Sequence, residues 1–292
     1  MTSEASSRKP WLAGLFSLWA PGLGQLYNGD IQRAGIVFVS VHLMIALAFV
    51  MLISRVVPRV TLVLGIVIIV VALLGPVVDA VRGARRTSGG RALRRYQRWY
   101  VYVGVLAISF IVQSTIMDAR RAFARSYAVV SGAMEPTLLD GDYVTAARPW
   151  SGGVKRNDVV VFNWPNEPGD MLMRVVALPG DTIRMHGGQL YVNDAAEVAR
   201  EYRQGAPVSN NPSMLWQADY RSASSTTDYS PSIDEWGPLV VPADQTFLLG
   251  DNRHASLDSR FRGFVPRENI KYVVRNVYYS KQGFSRMGRA VH

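Results

Sequence analysis

Three stretches without a charged residue constrain this chain more than any other feature. Residues 34–54, 61–78 and 99–117 contain no Asp, Glu, Lys or Arg. At about 1.5 Å per residue each is long enough to cross a hydrocarbon core of about 30 Å. The first two predict a transmembrane hairpin turning at residues 55–59. The third opens on Trp99, Tyr100 and Tyr102, as an aromatic belt at headgroup level would. The alternative, helices buried in a large soluble core, does not sit well with three uncharged runs of this length.

The remaining composition fits this picture. Charged residues make up 18% of the chain, against roughly a quarter in soluble domains, and a disordered acidic chain is excluded. The absence of Cys removes disulfide frameworks, thiolate zinc sites and cysteine nucleophiles. His42, His186, His254 and His292 are too scattered to suggest a metal site, so no metal or cofactor is expected.

The net charge of +10 is unevenly placed. Arg82, Arg85, Arg86, Arg91, Arg94, Arg95 and Arg98 lie between the second and third spans with no acidic residue among them. Such a run can signal nucleic acid. Between membrane spans it points instead to a cytoplasmic loop, residues 82–98, under the positive-inside rule. No nucleic acid is expected as a partner; the lipid bilayer is, with anionic headgroups contributing. The third helix then runs outward, giving a multi-pass protein of the cytoplasmic (inner) membrane whose residues 118–292 are extracytoplasmic. The membrane region is 34–117. Before it, in the apolar or interfacial segment 1–33, residues 10–28 are broken by Pro21, Gly22 and Gly24. A signal sequence, a re-entrant or interfacial helix and a fourth span are all compatible with this stretch. A signal peptide fits least, because more membrane follows at once.

From Tyr127 the pattern changes to short β-branched runs separated by Gly, Pro, Asn and Asp, which predicts strands. Gly187-Gly188 between two such runs suggests a hairpin turn. Residues 197–239, rich in Ser, Pro, Asn and Asp, read as an insertion or small loop-rich subdomain. The fold class expected is membrane helices plus a mainly β extracytoplasmic domain.

Four boxes in this domain carry a family resemblance. Ser131-Gly-Ala133-Met134-Glu-Pro136-Thr-Leu138, followed by Gly141-Asp142, resembles the first catalytic box of type I signal peptidases. In the same order follow Arg156-Asn157-Asp158, Met173-Arg174-Val175-Val176-Ala177-Leu178-Pro179-Gly180-Asp181, and Gly250-Asp251-Asn252-Arg253 with Ser256, Asp258, Arg260 and Gly263. The resemblance implies a signal-peptidase-like β fold over residues 126–279 and cleavage of signal peptides from exported preproteins by a Ser nucleophile with a Lys base. Such a Lys must be held neutral by apolar surroundings. The resemblance also implies an oxyanion hole from the Ser131 hydroxyl and the Ala133 N–H. Met134 and Pro136 would wall the substrate cleft, or simply pack in the core. Ser256 would orient the base, and Asp258 and Arg260 would form a structural ion pair. Partners implied are signal peptides, with the secretion channel as a further candidate.

The chain departs from the family at the chemistry. Ala133 stands at the nucleophile position and Met173 at the general-base position. Neither can perform the role, and either loss should remove most of the acceleration. The site is expected to be inactive yet to keep its shape, because Ala lacks one atom and Met is about as long as a neutral Lys. Ser256, without its Lys, is expected to bond backbone or water. A shifted nucleophile, Ser131, would share a face with position 133 on an extended strand but would need Lys155, Lys271 or His254 as base. His254 also reads as a surface histidine. Asn157 stands where the family usually has Gly, which leaves its turn geometry open. Deliberate inactivation and a natural pseudoenzyme both account for the missing dyad. A signal-peptide or membrane-partner binding protein, and a structural membrane protein built on the N-terminal spans, are the readings without catalysis.

Overall fold

The computed structural model describes residues 8–53, 58–86, 96–149, 153–165, 167–197, 213–221 and 229–291. Most of the turn at 55–59, most of the basic loop 82–98 and much of the 197–239 segment lie outside the described residues. The chain forms two compact units, residues 1–123 and 124–292.

The first unit is helical: α1 Pro10–Trp19, α2 Leu23–Tyr27, α3 Ile31–Ile53, α4 Pro58–Arg86 and α5 Trp99–Phe123. Helices α3, α4 and α5 are long and apolar enough to cross a membrane. They extend beyond the uncharged runs because the charged residues at their ends continue the same turns. Helix α1 starts with Pro10 at its first turn, where the missing N–H costs nothing. Its 10 residues span about 15 Å, too short for a fourth span.

The chain instead turns back at Gly22, whose φ of 90° is left-handed, so that α1 and α2 form a hairpin against α4. Two glycines allow the approach. A β-carbon on Gly22 would meet the Ala34 carbonyl oxygen at 2.5 Å, and one on Gly24 would meet both the Ala13 oxygen and the Ser17 hydroxyl at 2.2 Å. Ala13 packs on Ala80 and Ala84 of α4. Buried Gln25 donates to the Pro76 carbonyl and to Asp79 Oδ2, both at 3.0 Å. Asn28 donates to the Ala80 carbonyl at 2.7 Å. These bonds satisfy polar groups that would otherwise be costly away from water. The ambiguous segment 10–28 is therefore a helical hairpin that leaves and returns at the same end of α4.

The second unit is mainly β. Its strands are β1 Ala124–Ala128, β2 Asp142–Ala147, β3 Val159–Phe162, β4 Met171–Ala177, β5 Thr182–His186, β6 Gln189–Val192, β7 Ala195–Ala196, β8 Trp236–Val240, β9 Gln245–Leu249, β10 Val265–Pro266, β11 Ile270–Ser280 and β12 Arg289–Ala290. A large antiparallel sheet runs β1-β2-β11-β3-β4-β9-β10, with β12 on β11, and a smaller one runs β7-β6-β5-β8. Strand β3 is buried throughout. Its alternate residues serve two cores, Val159 and Val161 on one face and Val160 and Phe162 on the other, as the period of two requires.

Gly187 and Gly188, with φ of 56° and 77°, close the β5–β6 hairpin, as the sequence suggests. Asn157 adopts φ 70°, a left-handed conformation that Asn tolerates better than most residues, so the turn survives without glycine. Within 197–239, residues 236–239 are not loop but belong to β8, paired with β5.

Because the chain has no native Cys, paired cysteines can test the N-terminal hairpin. Ala13→Cys with Ala80→Cys should form a disulfide in the folded full chain. Adding Gly24→Leu should abolish it by forcing α2 off α1. Crosslinking that survives Gly24→Leu would contradict this packing.

Candidate active site

The first box begins on extended backbone at Ser131 and then tightens into a 3₁₀ turn, Gly132–Met134. The expectation that Ser131 and Ala133 lie on one face of an extended strand is therefore wrong: a turn intervenes, and the i, i+2 relation of strands does not apply. Ser131 is exposed. The turn is tied to the loop after β9, where the Asn252 N–H donates to the Ala133 carbonyl at 3.0 Å and Asn252 Nδ2 to the Gly132 carbonyl at 3.3 Å.

Gly250 is the junction. A β-carbon there would lie 2.2 Å from Ser256 Oγ and 2.6 Å from the Ala133 carbonyl oxygen, so only glycine admits both neighbours. Strand β4 pairs with β9 in the register Arg174↔Leu249 and Val175↔Leu248. One step further along that register, Met173 stands across from Gly250. Opposed residues of an antiparallel pair project on one face. Positions 133, 173 and 256, from three separate boxes, thus converge around Gly250.

Their surroundings are apolar on one side and unsatisfied on the other. Met173 is 5% exposed and clusters with Val160, Phe162, Val175, Leu248 and Val273. Ser256 is 0% exposed, and its hydroxyl has no hydrogen-bond partner. The expected bond to backbone is not made. A buried unpartnered hydroxyl costs about 1–3 kcal/mol, so a site that retains one has an unmet polar demand.

Buried ion pairs frame this junction. Arg174 meets Asp251 through two parallel bonds, Nε–Oδ1 at 2.7 Å and Nη2–Oδ2 at 2.6 Å, with neither side chain reaching solvent. Its Nη1 donates to the Asn157 carbonyl at 2.6 Å. Both residues stand in the sequence boxes, but their pairing across the fold is not legible there. Asp258 and Arg260 pair at 2.8 Å, fully buried. Asp258 also accepts from the Gly250 N–H at 3.2 Å, and Arg260 donates to the Arg253 carbonyl at 2.6 Å.

The other singled-out residues lie as follows. Met134 is buried in the core with Leu138 and Val144, and Pro136 is exposed. Lys155 is exposed, and Lys271 is engaged by Asp170 at 2.6 Å. His254 is half-buried. Among the described residues no group of His, Asp and Glu is placed to hold a metal ion.

The sequence model of the family described as "Signal peptidase, peptidase S26" matches residues 98–279. This chain belongs to that signal peptidase family. Signal peptidase I of Aquifex aeolicus is 29% identical over 215 residues, covering 59% of this chain and 82% of the relative. Signal peptidase I P of Bacillus subtilis subsp. natto is 30% identical, covering 56% and 80%. Signal peptidase IB of Staphylococcus aureus is also 30% identical, covering 59% and 83%.

Arg286, outside the matched residues, was not singled out by sequence. It braces the loop that follows the 3₁₀ turn: its guanidinium contacts Asp142 at 2.5 Å and the Thr137 carbonyl at 3.1 Å. The Leu139 N–H and the Ser280 hydroxyl also donate to Asp142. Burial alone would push the Asp142 carboxyl up. The hydrogen bonds from Arg286, Leu139 and Ser280 outweigh it and hold the group below the usual carboxylate range. Asp181 is likewise held low, with burial outweighed by Arg156, the Leu178 N–H and Asn193.

A depressed carboxylate stabilises the fold above its unfolded pKa, about 3.9 for Asp, and that contribution is lost as pH falls through the folded value. Stability of the full chain in detergent should therefore drop below about pH 4. Arg286→Met, by stranding a buried carboxylate, should cost about 3–5 kcal/mol at pH 7 in urea unfolding. A loss under about 1 kcal/mol, the size of a surface pair, would show that the clamp is not structural.

Proposed function

We propose that this chain is a signal peptidase that keeps its substrate cleft but lacks its catalytic dyad. The observation that carries this reading is the buried, partnerless hydroxyl of Ser256 beside Ala133, on the face that Met173 shares. A lysine ammonium or amine at position 173 would give that hydroxyl a partner. The Met173 side chain offers at most a weak sulfur acceptor. The apolar cluster around Met173 is the kind of setting that would hold a lysine neutral and able to take a proton.

In the intact mechanism a hydroxyl at position 133 attacks the scissile carbonyl and gives its proton to an amine at position 173. The Ser131 hydroxyl and the residue 133 N–H then receive the oxyanion. With Ala133 and Met173 there is no oxygen to attack and no lone pair basic enough to accept the proton. Residues that act as a unit fail together, and the loss expected is on the order of 10⁶-fold in kcat.

Binding is a separate matter. Signal peptides are the expected ligands, bound as an added strand whose main-chain hydrogen bonds need neither missing group. Strand β1, which leads into the 3₁₀ turn, forms one end of the large sheet and is suited to such pairing. The topology that fits is multi-pass in the cytoplasmic membrane, with 82–98 cytoplasmic and 118–292 outside, where a preprotein leaving the secretion channel would be met. Asp258–Arg260 acts as structural support, and Pro136 is offered as cleft wall.

The test uses membrane vesicles carrying the full chain and a preprotein with a photoreactive group near its cleavage site. The expected outcome is crosslinking to residues flanking 131–136 with no cleaved product, and digestion of 118–292 only by protease on the extracytoplasmic side. Cleavage by the chain as written would overturn the inactivity and point to Ser131. Absence of any crosslink would overturn cleft retention.

A further inference from the structure

The helical unit carries a feature that signal-peptide chemistry does not use. Arg8 is only 7% exposed, yet among the described residues it meets no carboxylate. Its Nη2 donates to Gln97 Oε1 at 3.1 Å, its guanidinium sits 5.3 Å from the Tyr27 ring centroid, and its Nε has no partner. A buried cation without an anion is costly.

The hairpin geometry sets what surrounds it. Gln97 donates to the Leu26 and Tyr27 carbonyls at 3.0 and 2.8 Å, and the Tyr27 hydroxyl accepts from the Lys9 N–H at 3.2 Å. The start of α1, the end of α2 and the start of α5 are thereby gathered at one end of the unit. Exposed Lys9 and Arg98 flank Arg8 through these contacts. Among the described residues, Asp30 and Asp79 at this end face Arg33, at 3.3 and 3.8 Å, which offsets part of their charge. Arg82 and Arg86, exposed on the last turns of α4, add further positive charge. Trp11, Trp99 and Tyr100 are exposed alongside, the side chains that settle at the headgroup level of a bilayer.

We infer that Arg8, Lys9 and Arg98 form a phosphate site at the Arg-rich end of the helical unit, and that its occupant is the headgroup of an acidic phospholipid. The largely buried guanidinium supplies fixed donors to the phosphate oxygens, and the two exposed cations and the aromatic rim hold the rest of the headgroup at the interface. The site is independent of the catalytic reading, since no residue of it lies in the signal-peptidase boxes.

The test compares thermal unfolding of the full chain, and lipid retention by native mass spectrometry, in nanodiscs of phosphatidylcholine alone or with phosphatidylglycerol. A separate arm adds inorganic phosphate to the phosphatidylcholine sample. Retained phosphatidylglycerol and a raised Tm are expected, and Arg8→Gln, Lys9→Gln and Arg98→Gln should each weaken retention about fivefold, the effect of one basic side chain at an anionic surface. Arg289→Gln, an exposed arginine of the β unit, should change nothing. Because the readout is the difference between the two lipids, a variant that only loosens the fold would lower both values and leave the difference intact, which would overturn the proposal. Equal stabilisation by inorganic phosphate would assign the site to a free anion and overturn the lipid as its occupant.

Discussion

A guanidinium with no access to water holds the β unit's site together. Arg174 joins β4 to the loop after β9 through Asp251, and reaches the Asn157 turn with its remaining nitrogen. A buried pair of this kind is weak as a source of net stability, because desolvation offsets most of the attraction. It is strict as a geometric demand: either partner alone would leave an uncompensated buried charge. The same logic governs Asp258–Arg260 and the Asp142 clamp. Two of these pairs hold the backbone next to Gly250, through the Asp258 bond to its N–H and through Asp251 that follows it, and the third holds the loop after the 3₁₀ turn.

Around that glycine the distinction between shape and chemistry is plain. The packing that would suit a neutral amine is present, filled by Met173. The 3₁₀ turn that would present a nucleophile is present, ending in Ala133 and Met134. A serine that would orient the amine is present and unpaired. Core packing responds to volume and apolarity, and Ala133 and Met173 meet both demands. On the proposed reading, cleavage needs an oxygen at position 133 and a basic lone pair at position 173, and these two side chains supply neither.

The long apolar helices, the strands and the four boxes are legible in the sequence because each depends on local pattern: runs without charge, alternation, and short ordered motifs. The hairpin of residues 10–28 is not, since Pro21, Gly22 and Gly24 announce a break without saying where the chain goes next. Its course is decided by Gln25 and Asn28 bonding to α4, some fifty residues away. The shared face of Ser131 and position 133 fails because the extended backbone ends at Ser131 and a 3₁₀ turn follows, which the short motif does not announce. Arg286 could not be found from the boxes, as it acts from outside the matched residues. The Arg174–Asp251 pair lay within the quoted motifs, but a partner 77 residues distant is a property of the fold.

The central claim is that an intact site lacks only two side-chain functions, and restoring them tests it most directly. Preprotein cleavage should be measured for the full chain as it stands, for Ala133→Ser and Met173→Lys singly, and for the double variant. The account predicts product only from the double variant, with each single variant at background. Cleavage by the unaltered chain, or none by a double variant that folds and still crosslinks a signal peptide, would contradict it.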